Sequence, residues 1–209
     1  MIAFLVVMGL GIALGLLRGG SLQNLRDARI ERMPFMFGAF GLQALAQFLP
    51  SGLDVVAYVM VLVSFGLIFI WAAANRFASG IAFLAIGALL NLIVIAANQG
   101  MPISAEAAIS SGYSGDLDNL VIRGKHIVDV DGTARLRILS DWIPLGGHPS
   151  AASIGDLVLW AGIALLLQDL LLGPRGKRSA RKDEGATSAI AKASASHVRV
   201  TRDPRPSRG

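Results

Sequence analysis

The chain has no cysteine. Disulfides, thiolate metal sites and thiol nucleophiles are therefore excluded, and any exposed loop must keep its shape by packing and hydrogen bonding. Charge is also scarce. Only 16% of the residues are charged and 54% are hydrophobic, whereas a typical soluble domain carries about 25% charged residues. With a mean hydropathy of +0.60, this balance places the chain among integral membrane proteins. Histidine occurs only at His126, His148 and His197, a spacing that fits no recurring ligand pattern, so neither a metal site nor a cofactor is expected. P-loop, GxSxG and HExxH motifs are missing as well.

What the chain does have is apolar runs of near-membrane length. Ile2–Leu17 is free of charge and at about 1.5 Å per residue spans roughly 24 Å, short of the roughly 30 Å hydrocarbon core. Arg18 could make up the difference by snorkelling. The run lacks the basic start and cleavage site of a signal peptide, so it is expected to be retained. Gly11, Gly15 and Gly19 recur at intervals of four, a spacing that lets another helix come close in lipid. Pro34 suits the first turn of a second helix, running to about Leu49. Gln43 and Gln47 share a face of it and are expected to point into the bundle. Val55–Ala74 and Phe77–Ala97 are the third and fourth runs, and Asn91 in the fourth is expected to hydrogen-bond between helices. Ile154–Leu172 is the fifth. Asp169 in its last turn is read as structural, with Arg175 and Arg178 as the nearest basic partners in sequence.

Arginine and lysine alternate between the connections. Arg18, Arg26, Arg29 and Arg32 follow the first run, Arg76 follows the third, and ten Lys or Arg lie in residues 173–209, whereas the turn after the second run has none. The positive-inside rule then predicts an N-terminus outside, a cytoplasmic C-terminus and an outer segment from Asn98 to Asp156. Residues 173–209 contain no Phe, Tyr or Trp. They are expected to form a disordered basic tail, separate from a transmembrane domain of residues 1–172, and to associate with anionic inner-leaflet lipids. Specific nucleic-acid binding is not expected without stacking side chains.

The outer segment, with its loop over residues 98–152, is the long stretch that is neither apolar nor a basic tail. Ser104 should cap a short helix over Ala105–Ser110, with Glu106 in its first turn and Gly112 ending it. Leu120–Arg123 reads as extended. Asp131-Gly132 lies between His126–Val130 and Thr133–Ile138, a type I′ hairpin signal. Ser153 with Asp156 approximates a capping box at the start of the last helix. Asp141 and Asp156 are the chemically loaded pair. Carboxylates brought close together divide into an acid and a base; kept apart, one caps a helix and the other binds backbone in a turn.

From Asn98 to Asp156 the chain resembles an uncharacterised bacterial family of small five-span membrane proteins, the DUF5317 type, a domain of unknown function. The resemblance rests on Asn98-Gln99-Gly100-Met101-Pro102-Ile103-Ser104, on Ser140-Asp141-Trp142-Ile143-Pro144-Leu145 and on Ser153-Ile154-Gly155-Asp156. Gly19-Gly20-Ser21-Leu22 with Leu25 also fits, and the likeness extends to about Leu172. Ser140 and Trp142 depart from the expected residues. The family implies a bacterial plasma-membrane location and no activity. A more local similarity is to lipoprotein signal peptidases, whose two catalytic aspartates sit in comparable Asn-x-Gly, Asp-Phe-Ile and Asn-x-Ala-Asp segments. Their Asn-x-x-Asp-Arg motif is absent here. Asn98 precedes the last helix directly instead of lying two helices earlier, and Ala152-Ser153-Ile154-Gly155 stands where an asparagine would precede the second aspartate. That similarity implies a related interfacial loop, not the same enzyme.

The sequence thus predicts an all-α membrane protein of five transmembrane helices with a small extracytoplasmic subdomain containing a β-hairpin. The expected role is a non-catalytic scaffold or accessory subunit for a membrane-protein partner. The motif residues available to a partner are Asn98, Gly100, Pro102, Ser104, Trp142, Pro144 and Ser153. The alternatives are an aspartate-dependent hydrolase built on Asp141 and Asp156, and a small transporter using Gln43, Gln47 and Asn91 as its polar path.

Overall fold

The computed structural model describes residues 2–50, 52–112, 126–129, 131–145, 151–173 and Thr187. The expected Leu120–Arg123 strand, His148 and the basic tail after Gly173 lie outside the described residues, Thr187 apart. All five apolar runs are helices: α1 (Ile2–Leu17), α3 (Met33–Phe48), α4 (Asp54–Ala74), α5 (Ile81–Asn98) and α7 (Ile154–Leu172). A short α2 (Gln23–Asp27) lies between the first two, and α6 (Ala105–Ser110) lies within the segment that joins α5 to α7. Pro34 occupies the first turn of α3, where a missing N–H costs nothing. The fourth long helix starts later than hydropathy suggests. Phe77–Gly80 form a turn instead, because Gly80 takes a left-handed backbone with φ +87° that helix continuation does not allow.

Three of these helices, α4, α5 and α7, are long and apolar enough to cross a membrane. Their outward faces agree. Val59 on α4, Phe83 on α5 and Leu157 on α7 are exposed, as are Leu5 on α1 and Phe40 on α3. A water-soluble protein would cover so many large apolar side chains.

The helices pack as a row in the order α3, α4, α5, α7, α1, with the last helix inserted between the first and α5. Glycines set the tightest crossing in that row. A Cβ on Gly87 of α5 would stand 2.5 Å from both the Gly155 carbonyl oxygen and the Leu159 nitrogen of α7. A Cβ on Gly162 of α7 would stand 2.5 Å from the Leu84 nitrogen. Backbone touches backbone here, which is how membrane helices gain contact without a hydrophobic drive. The expectation for α1 holds at two of three positions: Gly11 meets Ala164 and Gly15 meets Gln168 and Leu171, but Gly19 has open space beside it. Arg18 donates from Nη1 to Gln168 Oε1 at 3.0 Å, which fixes it against α7.

The polar residues inside the row divide differently from expectation. Gln43 Nε2 donates to Ser64 Oγ at 2.9 Å and so ties α3 to α4. Gln47, one turn on, is exposed. The two share a helix stripe, but α3 contacts its neighbour along a narrower strip than that stripe. Asn91 is buried and bonds to the start of α7, as anticipated.

The 98–156 segment contains two small sheets. Strand β1 (Met101–Ser104) pairs in parallel with β2 (His126–Asp129), and β3 (Ile143–Pro144) pairs antiparallel with β4 (Ala151–Ala152). The expected hairpin about Asp131-Gly132 is not formed. Its first arm pairs with β1 instead, and its second arm ends in a 3₁₀ turn at Arg137–Leu139. The reason lies in Asp129. Its Oδ1 accepts from the Ala134 nitrogen at 3.1 Å, and its Oδ2 pairs with Arg137 Nε at 3.5 Å. These side-chain bonds gather residues 134–137 around the carboxylate and compete with a ladder across the turn.

Candidate functional site

Each of the three motifs folds for a local reason, and β1 is where the first two meet. Asn98 ends α5 and reaches across to Arg135. Its Oδ1 accepts from the Arg135 nitrogen at 2.8 Å, and its Nδ2 donates to the Arg135 oxygen at 2.9 Å and the Val94 oxygen at 2.9 Å. The amide thereby mimics a neighbouring strand and fixes the 133–139 loop on the helix end. Gly100 is buried, and its nitrogen donates to the Ile95 oxygen at 3.1 Å. Met101, Pro102 and Ile103 are buried in β1.

The second motif attaches to the other edge of β1. The Asp141 nitrogen donates to the Pro102 oxygen at 2.9 Å, and the Ser104 nitrogen donates to the Asp141 oxygen at 3.0 Å. Successive strand residues direct their backbone groups to opposite edges. Proline at 102 therefore leaves its missing N–H on the Asp141 side and removes nothing from the β2 ladder. Ser104 then caps α6 as expected, its Oγ accepting from the Ala107 nitrogen at 3.1 Å. Replacing Asn98 by alanine should release the clamped loop. Of the three hydrogen bonds lost, the two to Arg135 hold the loop and correspond to about 1–3 kcal/mol, and amide exchange at Leu136–Ser140 should accelerate about tenfold. Unchanged exchange there would show that Asn98 does not hold the loop.

The third motif is a complete capping box. Ser153 Oγ accepts from the Asp156 nitrogen at 3.0 Å, and Asp156 Oδ2 accepts from the Ser153 nitrogen at 3.2 Å. Asn91 completes a polar cluster. Its Nδ2 donates to Asp156 Oδ1 at 2.7 Å, and its Oδ1 accepts from Ser153 Oγ at 3.0 Å. Asn91 is 2% exposed and Ser153 is fully buried. Gly155 makes the cluster possible, since any Cβ there would collide with Asn91 Oδ1. The β3–β4 pair laces this motif to the second.

The two candidate aspartates belong to the second and third motifs. Both carboxylate oxygens of Asp156 accept hydrogen bonds, one across the helix interface and one at the cap. Asp141 is 2% exposed beside β1. Among the described residues no group of three or more His, Asp or Glu is arranged to hold a metal.

A cleft of about 760 Å³ opens beside these residues. Of the motif residues, Ser104, Trp142 and Pro144 line it, whereas Asn98, Gly100, Pro102, Ser153, Asp141 and Asp156 do not. Glu106, Asp129, Ile138 and Ser140 complete much of the wall with Arg137. Trp142 is 45% exposed, and its Nε1 donates to the Ile138 oxygen at 2.9 Å. That bond uses the indole donor. Sequence reasoning missed Asp129 and Arg137. Both lie outside the three motifs, and the hairpin signal at Asp131-Gly132 masked their pairing. Asn24 and the Ser21 nitrogen similarly reveal what the Gly19-Gly20-Ser21 stretch does: both donate to the Leu171 oxygen, at 2.7 and 2.8 Å, and close the end of α7.

No curated protein and no solved structure matches the chain. The model of a family of unknown function, DUF5317, matches residues 27–168, which takes in all three motifs and leaves the Gly19–Leu25 stretch outside, and the chain belongs to that family.

Proposed function

We propose that this is a five-span protein of the bacterial plasma membrane, with its N-terminus outside, whose outer segment binds a partner protein and does no chemistry. In this reading α1 and α3 complete the set begun by α4, α5 and α7. Each has 16 residues, packs beside a longer helix and exposes apolar side chains. The alternation of arginine between connections supports the orientation. The basic tail after Gly173 faces the cytoplasm and adds attraction to anionic lipids.

One observation carries the non-catalytic reading: neither Asp141 nor Asp156 lines the cleft, while Trp142, Ser104 and Pro144 do. A hydrolase needs its carboxylates within reach of a substrate. The transporter reading is supported less, because Gln43 and Asn91 are used in bonds between helices and Gln47 is exposed near the end of α3. A rigid aromatic ring beside mixed charges is typical of a contact surface for protein.

Placing a photo-reactive side chain at Ile138, which is 67% exposed, should give one discrete protein adduct in cells. Trp142→Ala should reduce that adduct about tenfold, and the same probe at Phe40 should not give it. Equal adducts from both positions, or none from Ile138, would overturn the partner reading. A reporter active only outside the cytoplasm should work when inserted near Gly132 and stay silent after Gly209; the reverse would overturn the orientation.

A further inference from the structure

At the opposite ends of α4, α5 and α7 from the 98–156 segment lies a second cleft, of about 540 Å³. Trp71, Ile81, Leu166 and Leu170 give it an apolar lining. The loop after α2 contributes Arg29 to its wall. Asn75 straps that loop down, with its Oδ1 accepting from the Glu31 nitrogen at 2.9 Å and its Nδ2 donating to the Glu31 oxygen at 3.0 Å. Arg29 itself is exposed, and among the described residues its guanidinium makes no ion pair or hydrogen bond. Phe77 also lines the cleft, and the Arg76 guanidinium stands 4.8 Å from its ring centroid, which sets a second cation at the mouth.

Trp71 is the first pointer to a ligand. It lines the cleft, is 2% exposed, and its indole Nε1–H has no acceptor among the described residues. A buried donor of this kind calls for an oxygen. Charge is the second pointer. The two connections at this end, residues 18–32 and 75–80, carry Arg18, Arg26, Arg29, Arg32 and Arg76 against Asp27 and Glu31. Asp27 and Asp169 line the cleft as well, but both are already engaged, Asp169 by accepting at Oδ2 from the Ser79 nitrogen at 3.3 Å. Neither is offered to a ligand, and with both counted the arginines stay in excess. An apolar lining, a buried N–H donor and a cationic rim thus meet at the ends of apolar helices, level with the region where a bilayer changes from hydrocarbon to headgroup.

We propose that this cleft binds one anionic phospholipid. The phosphate lies against Arg29, with Arg76 at the mouth. A glycerol-ester oxygen accepts from Trp71 Nε1, and the acyl chains leave past Phe77. A zwitterionic lipid brings the same phosphate, but its ammonium meets the excess of arginine. The ten Lys or Arg after Gly173 attract anionic lipid only as a diffuse layer; the cleft adds a fixed place for one molecule. This rests on the reading that the helices cross a bilayer, and it holds for either orientation.

The test uses the full-length protein, delipidated and returned to nanodiscs of mixed phosphatidylglycerol and phosphatidylethanolamine, with bound lipids counted by native mass spectrometry. One phosphatidylglycerol should be retained about tenfold over phosphatidylethanolamine, and Arg29→Gln should remove that preference, as loss of a charge-assisted bond implies. Trp71→Phe keeps an apolar ring but loses the N–H, and should lower retention about threefold. Arg32→Gln removes the same charge from the same connection without touching the cleft lining, and should leave retention within about twofold. Equal retention of the two lipids, or no effect of Arg29→Gln, would overturn the proposal. Equal losses from Arg29→Gln and Arg32→Gln would overturn it in favour of diffuse attraction to the basic connections and tail. Free glycerol phosphate competing at equal concentration would overturn it in favour of a small soluble ligand. Protein that fails to enter nanodiscs would refute the spanning reading, whereas protein that enters them without lipid preference refutes this proposal alone.

Discussion

Gly87→Ala should lower the stability of the detergent-solubilised protein by about 3 kcal/mol, the upper end of overpacking costs. The new methyl group would stand 2.5 Å from the Gly155 oxygen and the Leu159 nitrogen. Both are backbone atoms, so no rotamer change can relieve the collision, and α5 and α7 must separate. Separation also pulls Asn91 away from Asp156 and Ser153. For a chain of this size the loss corresponds to a melting temperature lower by about 6–12 °C. Gly41→Ala is the matched control. Gly41 lies in α3 and has nothing within 4 Å of its added Cβ, so helix propensity alone acts and should stabilise by about 0.5–1 kcal/mol. If both substitutions behaved alike, glycine contact would not be what holds α5 to α7.

Asp156→Ala is expected to cost about 2–4 kcal/mol. The lost cap contributes about 1 kcal/mol, and leaving the buried Asn91 Nδ2 without its acceptor adds about 1–3 kcal/mol. Sequence alone suggests that Asp156→Asn would be mild, since asparagine also caps helices. The cluster argues otherwise. Asn91 Nδ2 and the Ser153 nitrogen each donate to a different carboxylate oxygen, and an asparagine offers only one oxygen. Its amide must then face a donor, at a cost of about 1–3 kcal/mol. Exchanging the two side chains, Asn91→Asp with Asp156→Asn, restores every donor–acceptor match. The amide now at position 156 would donate to the carboxylate at position 91 and still accept from the Ser153 nitrogen. That carboxylate would in turn accept from Ser153 Oγ. The double variant should therefore be more stable than Asp156→Asn alone, although burying the charge at position 91 keeps the recovery partial. Thermal melts of the single and double variants decide it. Losses that simply add would show that the cluster is not an interdependent network.

A catalytic pair would behave differently. Asparagine and alanine would be equally inactivating at either position, with little change in stability. The proposed non-catalytic reading carries the opposite expectation, with Asp156 bonded from both sides and Asp141 buried.

The sequence by itself determined whatever depends on near neighbours. Hydropathy located all five long helices, since each run is apolar over its own length. Ser104 and Ser153 marked helix starts, because a cap needs only a hydroxyl and the N–H three residues on. Family motifs singled out the 98–156 segment. Tertiary structure decided what depends on distant partners. Nothing local says that α7 inserts between α1 and α5, or that Gln43 finds Ser64 while Gln47 stays exposed. The Asp131-Gly132 turn signal was real but weaker than Asp129 binding Ala134 and Arg137, and β2 paired with β1 instead. Asp156 could be read as a cap from its spacing to Ser153, but its second partner, Asn91, is 65 residues away. Only the glycine-mediated approach of α5 and α7 brings those two side chains together.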